Sequence, residues 1–217
     1  MDTNQTPAPA KPAKPVKARS LGLGCLGILV VGIVIAALWG VGAYNSLVKL
    51  DQGVRSGWAQ VENVYQRRAD LVPNLVETVK GAAAFEKDTF TAVTEARAKV
   101  GQTKIDAGQL NDPAAFAKFQ AAQDQLGGAL SRLLVAVEKY PDLKATQNFR
   151  DLQSQLEGTE NRITVERQRF NETAQAFNTK RMSFPTVLIA GFFGSRFAEK
   201  AYFKAAEGAD QAPKVQF

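Results

Sequence analysis

Twenty-four consecutive residues, Leu21 to Tyr44, contain neither charge nor proline. As an α-helix rising about 1.5 Å per residue this run reaches roughly 36 Å. That length crosses a hydrocarbon core of about 30 Å with some tilt. Trp39 and Tyr44 stand near one end, where interfacial aromatics belong. A soluble core helix does not need an uninterrupted apolar stretch of this length. A secretory signal has a shorter apolar stretch, about 7–15 residues, although Val41-Gly42-Ala43 resembles a cleavage site. A lipoprotein anchor needs its cysteine after the apolar stretch, and Cys25 lies near the start. The run therefore predicts one uncleaved membrane helix over 21–44.

The flanks set its expected orientation. Residues 1–20 carry Lys11, Lys14, Lys17 and Arg19 against Asp2, a net of +3. Pro7, Pro9, Pro12 and Pro15 make this leader extended rather than helical. Beyond the run the signs are mixed: Lys49, Asp51, Arg55, Glu62. The positive-inside rule then puts the N-terminus in the cytoplasm and residues 45–217 outside it. Gly32, Ala36 and Gly40 recur at every fourth position and form a small-residue stripe suited to a homo-oligomer through the membrane helix.

Composition excludes several kinds of chemistry. The 217 residues include no histidine and one cysteine. Ser-His-Asp triads, His-ligated metals and intrachain disulfides are thereby impossible. The net charge of +6 is half concentrated in the leader. No basic stripe interleaves with aromatics, so nucleic acid is not an expected partner. Gly22, Gly24 and Gly27 lie inside the apolar run, where no phosphate reaches.

After residue 44 the pattern is helical. Leu47, Leu50, Val54, Trp58, Val61, Tyr65, Val72, Leu75 and Val79 follow three-four spacing, with Arg68 in the missing step. This is a heptad seam. It keeps its register through Pro73, which predicts a bend rather than an end. A shorter helix is expected over Glu86–Val100, with Phe90, Val93 and Val100 on one side. A loop follows over 101–112. Asp112-Pro113 then forms a helix start. The next seam holds Phe116, Phe119, Leu126, Leu130, Leu133, Val137 and Tyr140, interrupted by Gln123. Pro141-Asp142 breaks it. A last helix from about Leu143 places Phe149, Leu156, Ile163, Phe170, Phe177 and Phe184 seven residues apart. Long helices with short connections pack as antiparallel neighbours. The expected fold is all-α: a single transmembrane helix followed by an elongated antiparallel bundle of three to four long helices. Its segments are a leader (1–20), the membrane helix (21–44), the bundle (45–183) and an aromatic C-terminal segment (184–217). That last segment holds six of the thirteen phenylalanines, which suits packing back on the bundle better than a solvated tail.

Several stretches of this chain resemble the LemA family of bacterial membrane proteins. They include Tyr44-Asn45-Ser46-Leu47-Val48, Arg67-Arg68-Ala69-Asp70-Leu71-Val72-Pro73-Asn74-Leu75-Val76 and Thr78-Val79-Lys80-Gly81. Thr94-Glu95-Ala96-Arg97, Glu138 to Ala145 and Gly158 to Ile163 follow in order. Phe170-Asn171, Ser183-Phe184-Pro185, Tyr202-Phe203 and Pro213 to Phe217 complete the match over 44–217. Where members often carry Tyr and His-Glu after the Lys-Gly pair, this chain has Ala82 and Phe85-Glu86, so no role of that histidine transfers. The resemblance implies an N-terminal membrane helix carrying an antiparallel bundle, with no assigned chemistry, cofactor or catalytic residue. Some members are described with the soluble domain in the cytoplasm, opposite to the orientation that the flanking charges favour here.

Arg67, Arg68, Asp70, Glu95, Arg97, Glu160, Arg162 and Arg167 fall on or beside seams. Together with Pro73 and Asn74 they make up the expected polar cluster. A buried arginine requires a carboxylate or backbone carbonyls, and Glu160 is the expected partner of Arg68. The bland role is ion pairing that fixes helix register. The sharper one is a polar site near Pro73. Carboxylates such as Asp70, Glu77, Glu86 and Glu95 are available, but no spacing sets two of them across a cleft. The expected function is a non-enzymatic, membrane-anchored scaffold or adaptor for envelope proteins, without cofactor, metal or catalytic residues. The alternatives are an accessory subunit of a membrane protease or transporter, or a carboxylate-based hydrolase or ligand site inside the bundle.

Overall fold

The computed structural model describes residues 18–81 and 87–205. The leader lysines and prolines, the side chains of Arg19 and Cys25, Ala82, Phe85, Glu86 and the closing Pro213 to Phe217 lie outside the described residues. Six α-helices follow in order: α1 (Ala18–Lys80), α2 (Lys87–Gln102), α3 (Pro113–Val137), α4 (Pro141–Lys144), α5 (Gln147–Met182) and α6 (Thr186–Phe193). Two 3-10 turns, Ala107–Gln109 and Gly194–Phe197, complete the regular structure, and the described residues contain no strand. The fold is all-α, as the sequence pattern requires.

The chain divides between Gly42 and Ala43 into two units. In the N-terminal unit, the large apolar side chains from Leu26 to Val41 are exposed on every side of the helix. This is the described helix long and apolar enough to cross a membrane. Water does not tolerate an apolar surface of that extent.

In the second unit, α1 continues as one wall of a helical bundle. Its seam is buried at Leu47, Val54, Trp58, Val61, Tyr65, Arg68, Val72, Leu75 and Val79. Arg97 of α2 touches Ala69, while Lys99 of α2 touches Gln125. Arg68 meets Gln123 and Glu160, and Tyr65 meets Arg167. Rising numbers on α1 thus pair with rising numbers on α3 and falling numbers on α2 and α5. The four longer helices alternate in direction, which short connections dictate. Gly57 lets α1 and α5 approach closely: a Cβ there would stand 3.2 Å from Thr173 Oγ1.

Helix starts follow local chemistry. Asp112 accepts from the amides of Ala114 and Ala115 at 2.9 and 3.1 Å, with Pro113 in the first turn. The α2 helix runs to Gln102, two residues beyond the expected Val100. Pro141 opens the short α4, and α5 starts only after Thr146 caps it. A larger correction concerns Phe184. The seven-residue seam of α5 stops at Phe177, because α5 ends at Met182 and Ser183 is extended ahead of Pro185. Phe184 lies outside the helix and is 82% exposed.

The apolar core forms two clusters. One joins Val72, Leu75 and Val79 to Val93, Leu126, Leu133, Phe149 and Leu156. The other joins Leu47, Trp58 and Tyr65 to Phe116, Phe119, Phe170, Phe177, Phe197 and Phe203. Trp58 sits among the rings of Phe116, Phe119, Phe170 and Phe203, with centroids 5.2–6.2 Å away.

Candidate functional site

Between the two apolar clusters lies a polar layer built from the interruptions of two seams and from residues beside a third. Arg68 enters from α1 with its side chain only 3% exposed. Its Nη2 donates to Gln123 Oε1 at 2.6 Å and to the Gln123 carbonyl at 3.0 Å. Its Nη1 donates to Glu160 Oε2 at 3.1 Å. Gln123 is itself buried on α3. Glu160, on α5, is 57% exposed. The guanidinium is therefore held from inside by an amide and from the rim by a hydrated carboxylate. Most of the pair's Coulomb attraction is screened at that rim, so the buried hydrogen bonds to Gln123 dominate.

Tyr65 links this layer to a second arginine. Arg167 of α5 donates through Nε to the Tyr65 hydroxyl and through Nη2 to Asp124 Oδ1 at 2.8 Å. The Arg68 and Arg167 guanidinium carbons lie 5.1 and 5.6 Å from the Tyr65 ring centroid, within cation–π range. Burial raises the Tyr65 phenol above its usual range, against the opposing pull of Arg167. For Arg167, burial works against the charged form, but Tyr65 and Asp124 outweigh it and hold the guanidinium above its ordinary value. The Arg167 guanidinium therefore stays charged.

A cleft of about 270 Å³ opens beside this layer, lined by Glu62, Tyr65, Gln66, Lys104, Phe119 and Gln123 among others. Glu62 is the carboxylate in its lining, and burial pushes its carboxyl up. Acid–base hydrolysis with paired carboxylates needs two across one opening; the charge of Asp106 adds to the upward push on Glu62, while Asp124 and Glu160 of the polar layer are each bound to an arginine.

The remaining sequence-predicted residues fall elsewhere. Arg67, Asp70, Asn74 and Glu95 are exposed. Asp70 accepts from Gln66 at 2.7 Å, and Glu77 binds Lys80. Pro73 sits inside α1. It lacks the N–H that would bond the Ala69 carbonyl, and Arg97 Nε on α2 supplies the replacement donor at 3.0 Å. Pro73 and Arg97 are thus brought together around one backbone oxygen, apart from the Arg68 layer. Gly32, Ala36 and Gly40 share one face of the N-terminal apolar helix, and a Cβ on Gly32 would meet nothing within 4 Å.

Two groups escaped the sequence reading. Asp51 is buried and binds Lys200 Nζ at 2.7 Å and Arg55 Nε at 2.9 Å. Burial pushes its carboxyl up, but the hydrogen bonds and charges of Lys200 and Arg55 prevail and hold it below the usual carboxylate range. Asp51 stands seven residues before Trp58, so the seam spacing could have flagged it. Lys200 lies in an aperiodic segment and gave no signal. That segment is strapped to the bundle by three side-chain amides. Asn178 bonds both backbone groups of Lys200, each at 2.9 Å. Asn171 does the same for Phe203, and Gln120 for Lys204.

A model of the LemA family matches residues 57–217. Magnetosome protein MamQ 2 of Paramagnetospirillum magneticum is 24% identical over 216 residues, covering 88% of this chain and 77% of its own length. Magnetosome protein MamQ of Magnetospirillum gryphiswaldense is 25% identical over 183 residues, covering 75% and 66%. Protein LemA of Metamycoplasma hominis is 24% identical over 163 residues, covering 75% and 69%. The chain belongs to the LemA family, and the family together with the apolar helix supports a membrane-associated helical protein.

Proposed function

We propose that this LemA-family chain is a single-pass, membrane-anchored scaffold that presents helix faces to other envelope proteins and performs no chemistry of its own. The exposed apolar helix supports the anchor. The observation that carries the scaffold reading is the internal pairing of Arg68, Arg167 and Lys200 with Glu160, Asp124 and Asp51. These charges are paired within the bundle rather than turned toward a substrate. The leader cations put the N-terminus in the cytoplasm and the bundle outside it. The Gly32, Ala36 and Gly40 stripe pairs two copies in the bilayer.

Crosslinking in intact cells followed by mass spectrometry tests the reading. The expected result is a reproducible set of envelope proteins linked to exposed lysines such as Lys99 of α2 and Lys118 of α3. Links to no protein other than a second copy would overturn it. A reporter fused after Phe217 that is active only in the cytoplasm would reverse the orientation. An oligomer pattern unchanged by Gly32→Ile would remove the pairing face.

A further inference from the structure

The helix α6 is inside out for a water-facing element. Its small residues, Thr186 and Ala190, are buried against the bundle. Its large ones face outward: Leu188 is 63% and Phe192 84% exposed, and Phe184, four residues before Leu188, is 82% exposed. Leu188 and Phe192 stand four residues apart on α6 and form one stripe, with Val187 and Phe193 beside it and Phe184 exposed just ahead of the helix. Exposed apolar stripes of this size mark a binding surface.

Two further observations say what covers it. The first is its place in the chain. Tyr44, the last residue of the uncharged run, packs on Phe193 and Phe197 with ring centroids 4.8 and 5.4 Å apart. With 21–44 in a bilayer, connectivity alone puts Tyr44 at the bilayer edge, and α6 is in direct contact with Tyr44. The second is charge. Residues 173–198 contain Lys180, Arg181 and Arg196 and no Asp or Glu. The Arg196 guanidinium lies 5.8 Å from the Tyr44 ring centroid, the pairing of cation and aromatic that suits a headgroup layer.

We propose that α6 is an interfacial helix: its Leu188 and Phe192 stripe enters the headgroup and upper acyl region of the bilayer that holds the N-terminal helix. An amphipathic helix lying in the interface buries its apolar face about 5–10 Å deep. This inference rests on the anchor reading above, and the test separates the two.

The full chain carrying Cys25→Ser and Phe192→Cys is labelled with an environment-sensitive fluorophore and reconstituted in phosphatidylcholine–phosphatidylglycerol vesicles. Val135→Cys, on an exposed site of α3, is the control. Flotation and resistance to carbonate report the anchor. The expected result is floating protein whose position-192 probe is blue-shifted and quenched several-fold more than the control by lipids carrying a nitroxide high on the acyl chain. Leu188→Cys should behave alike. Floating protein with a position-192 probe as hydrated as the control overturns the α6 placement and leaves the anchor standing. A blue-shifted probe that lipid nitroxides do not reach means that protein, such as a second copy, covers the stripe, and also overturns it. Protein that does not float overturns both readings.

Discussion

Replacing Arg68 by leucine removes three hydrogen bonds and leaves Gln123, which is 3% exposed, with its side-chain oxygen unpartnered. A stranded buried amide costs about 1–3 kcal/mol. The reciprocal Gln123→Leu strands a guanidinium that keeps only the main-chain oxygen and the half-hydrated Glu160, and losing a hydrogen bond to a charged group costs about 1.5–3 kcal/mol. The double variant has no stranded group. It carries leucine at both seam interruptions and joins the two apolar clusters. Exchange of a buried polar set for packed apolar residues is neutral or stabilising by about 1–4 kcal/mol. For a domain of this size 1 kcal/mol moves Tm by about 2–4 °C. Each single variant should lower Tm by about 2–12 °C, while the double variant should melt at or above the parent. Thermal unfolding of the full chain in mild detergent, followed by circular dichroism at 222 nm, gives the four values. A double variant that melts below both singles, with losses that add, would refute the pairing. The Arg68–Glu160 cycle should show a coupling of about 1 kcal/mol or less, since Glu160 is 57% exposed.

Three more outcomes follow from the same geometry. Asp51 has a folded-state pKa below its ordinary value, so its stabilisation is complete above about pH 4–5, near the unfolded carboxylate pKa. It is lost as the pH falls through the folded value. The Tm gap between parent and Asp51→Asn should be constant from pH 7 to 5 and close below that; a gap that persists at pH 2 would refute the ion triad. Asn178→Ala removes three hydrogen bonds around Lys200 and Tyr202. Hydrogen exchange at 198–205 should then rise at least tenfold while α5 keeps its protection. Arg97→Ala should cost about 0.5–1.5 kcal/mol, and that cost should vanish in a Pro73→Ala background, where the restored N–H at residue 73 takes the Ala69 carbonyl back.

Much of the bundle was legible because its seams are regular. The three-four spacing from Leu47 to Val79 named the buried face of α1 except at Leu50, where Asp51 takes the buried step, and the same reading named α3 up to Val137 and most of α5. Arg68 and Gln123 were visible as faults in two seams. Their meeting was not visible, since they lie 55 residues apart and no local pattern sets the register between helices. Phe184 misled because a seven-residue period continues in sequence after Ser183 and Pro185 have ended the helix. The strap at 198–205 has no period, so neither Lys200 nor Phe203 could be placed before their amide partners were seen.

The faults in the seams have a physical use. Apolar seams of similar residues specify rotation about a helix axis well and translation along it poorly, because a shift of seven residues restores apolar contact. A shift of that size moves a helix by about 10.5 Å. For α3 it would set Phe116 or Leu130 against Arg68 in place of Gln123. Both residues are buried and neither can accept a hydrogen bond, so a guanidinium would be left in hydrocarbon. That cost falls on the slipped states and not on the native one, which is how a single polar position in a coiled coil selects register. The substitutions that leave the Arg68→Leu/Gln123→Leu bundle as stable as the parent or more so should therefore make it less unique. Its amide exchange should spread over more than one packed state even as its Tm holds or rises. A double variant that keeps the parent's single set of protected amides would show that the aromatic cluster around Trp58 fixes the register without help from Arg68.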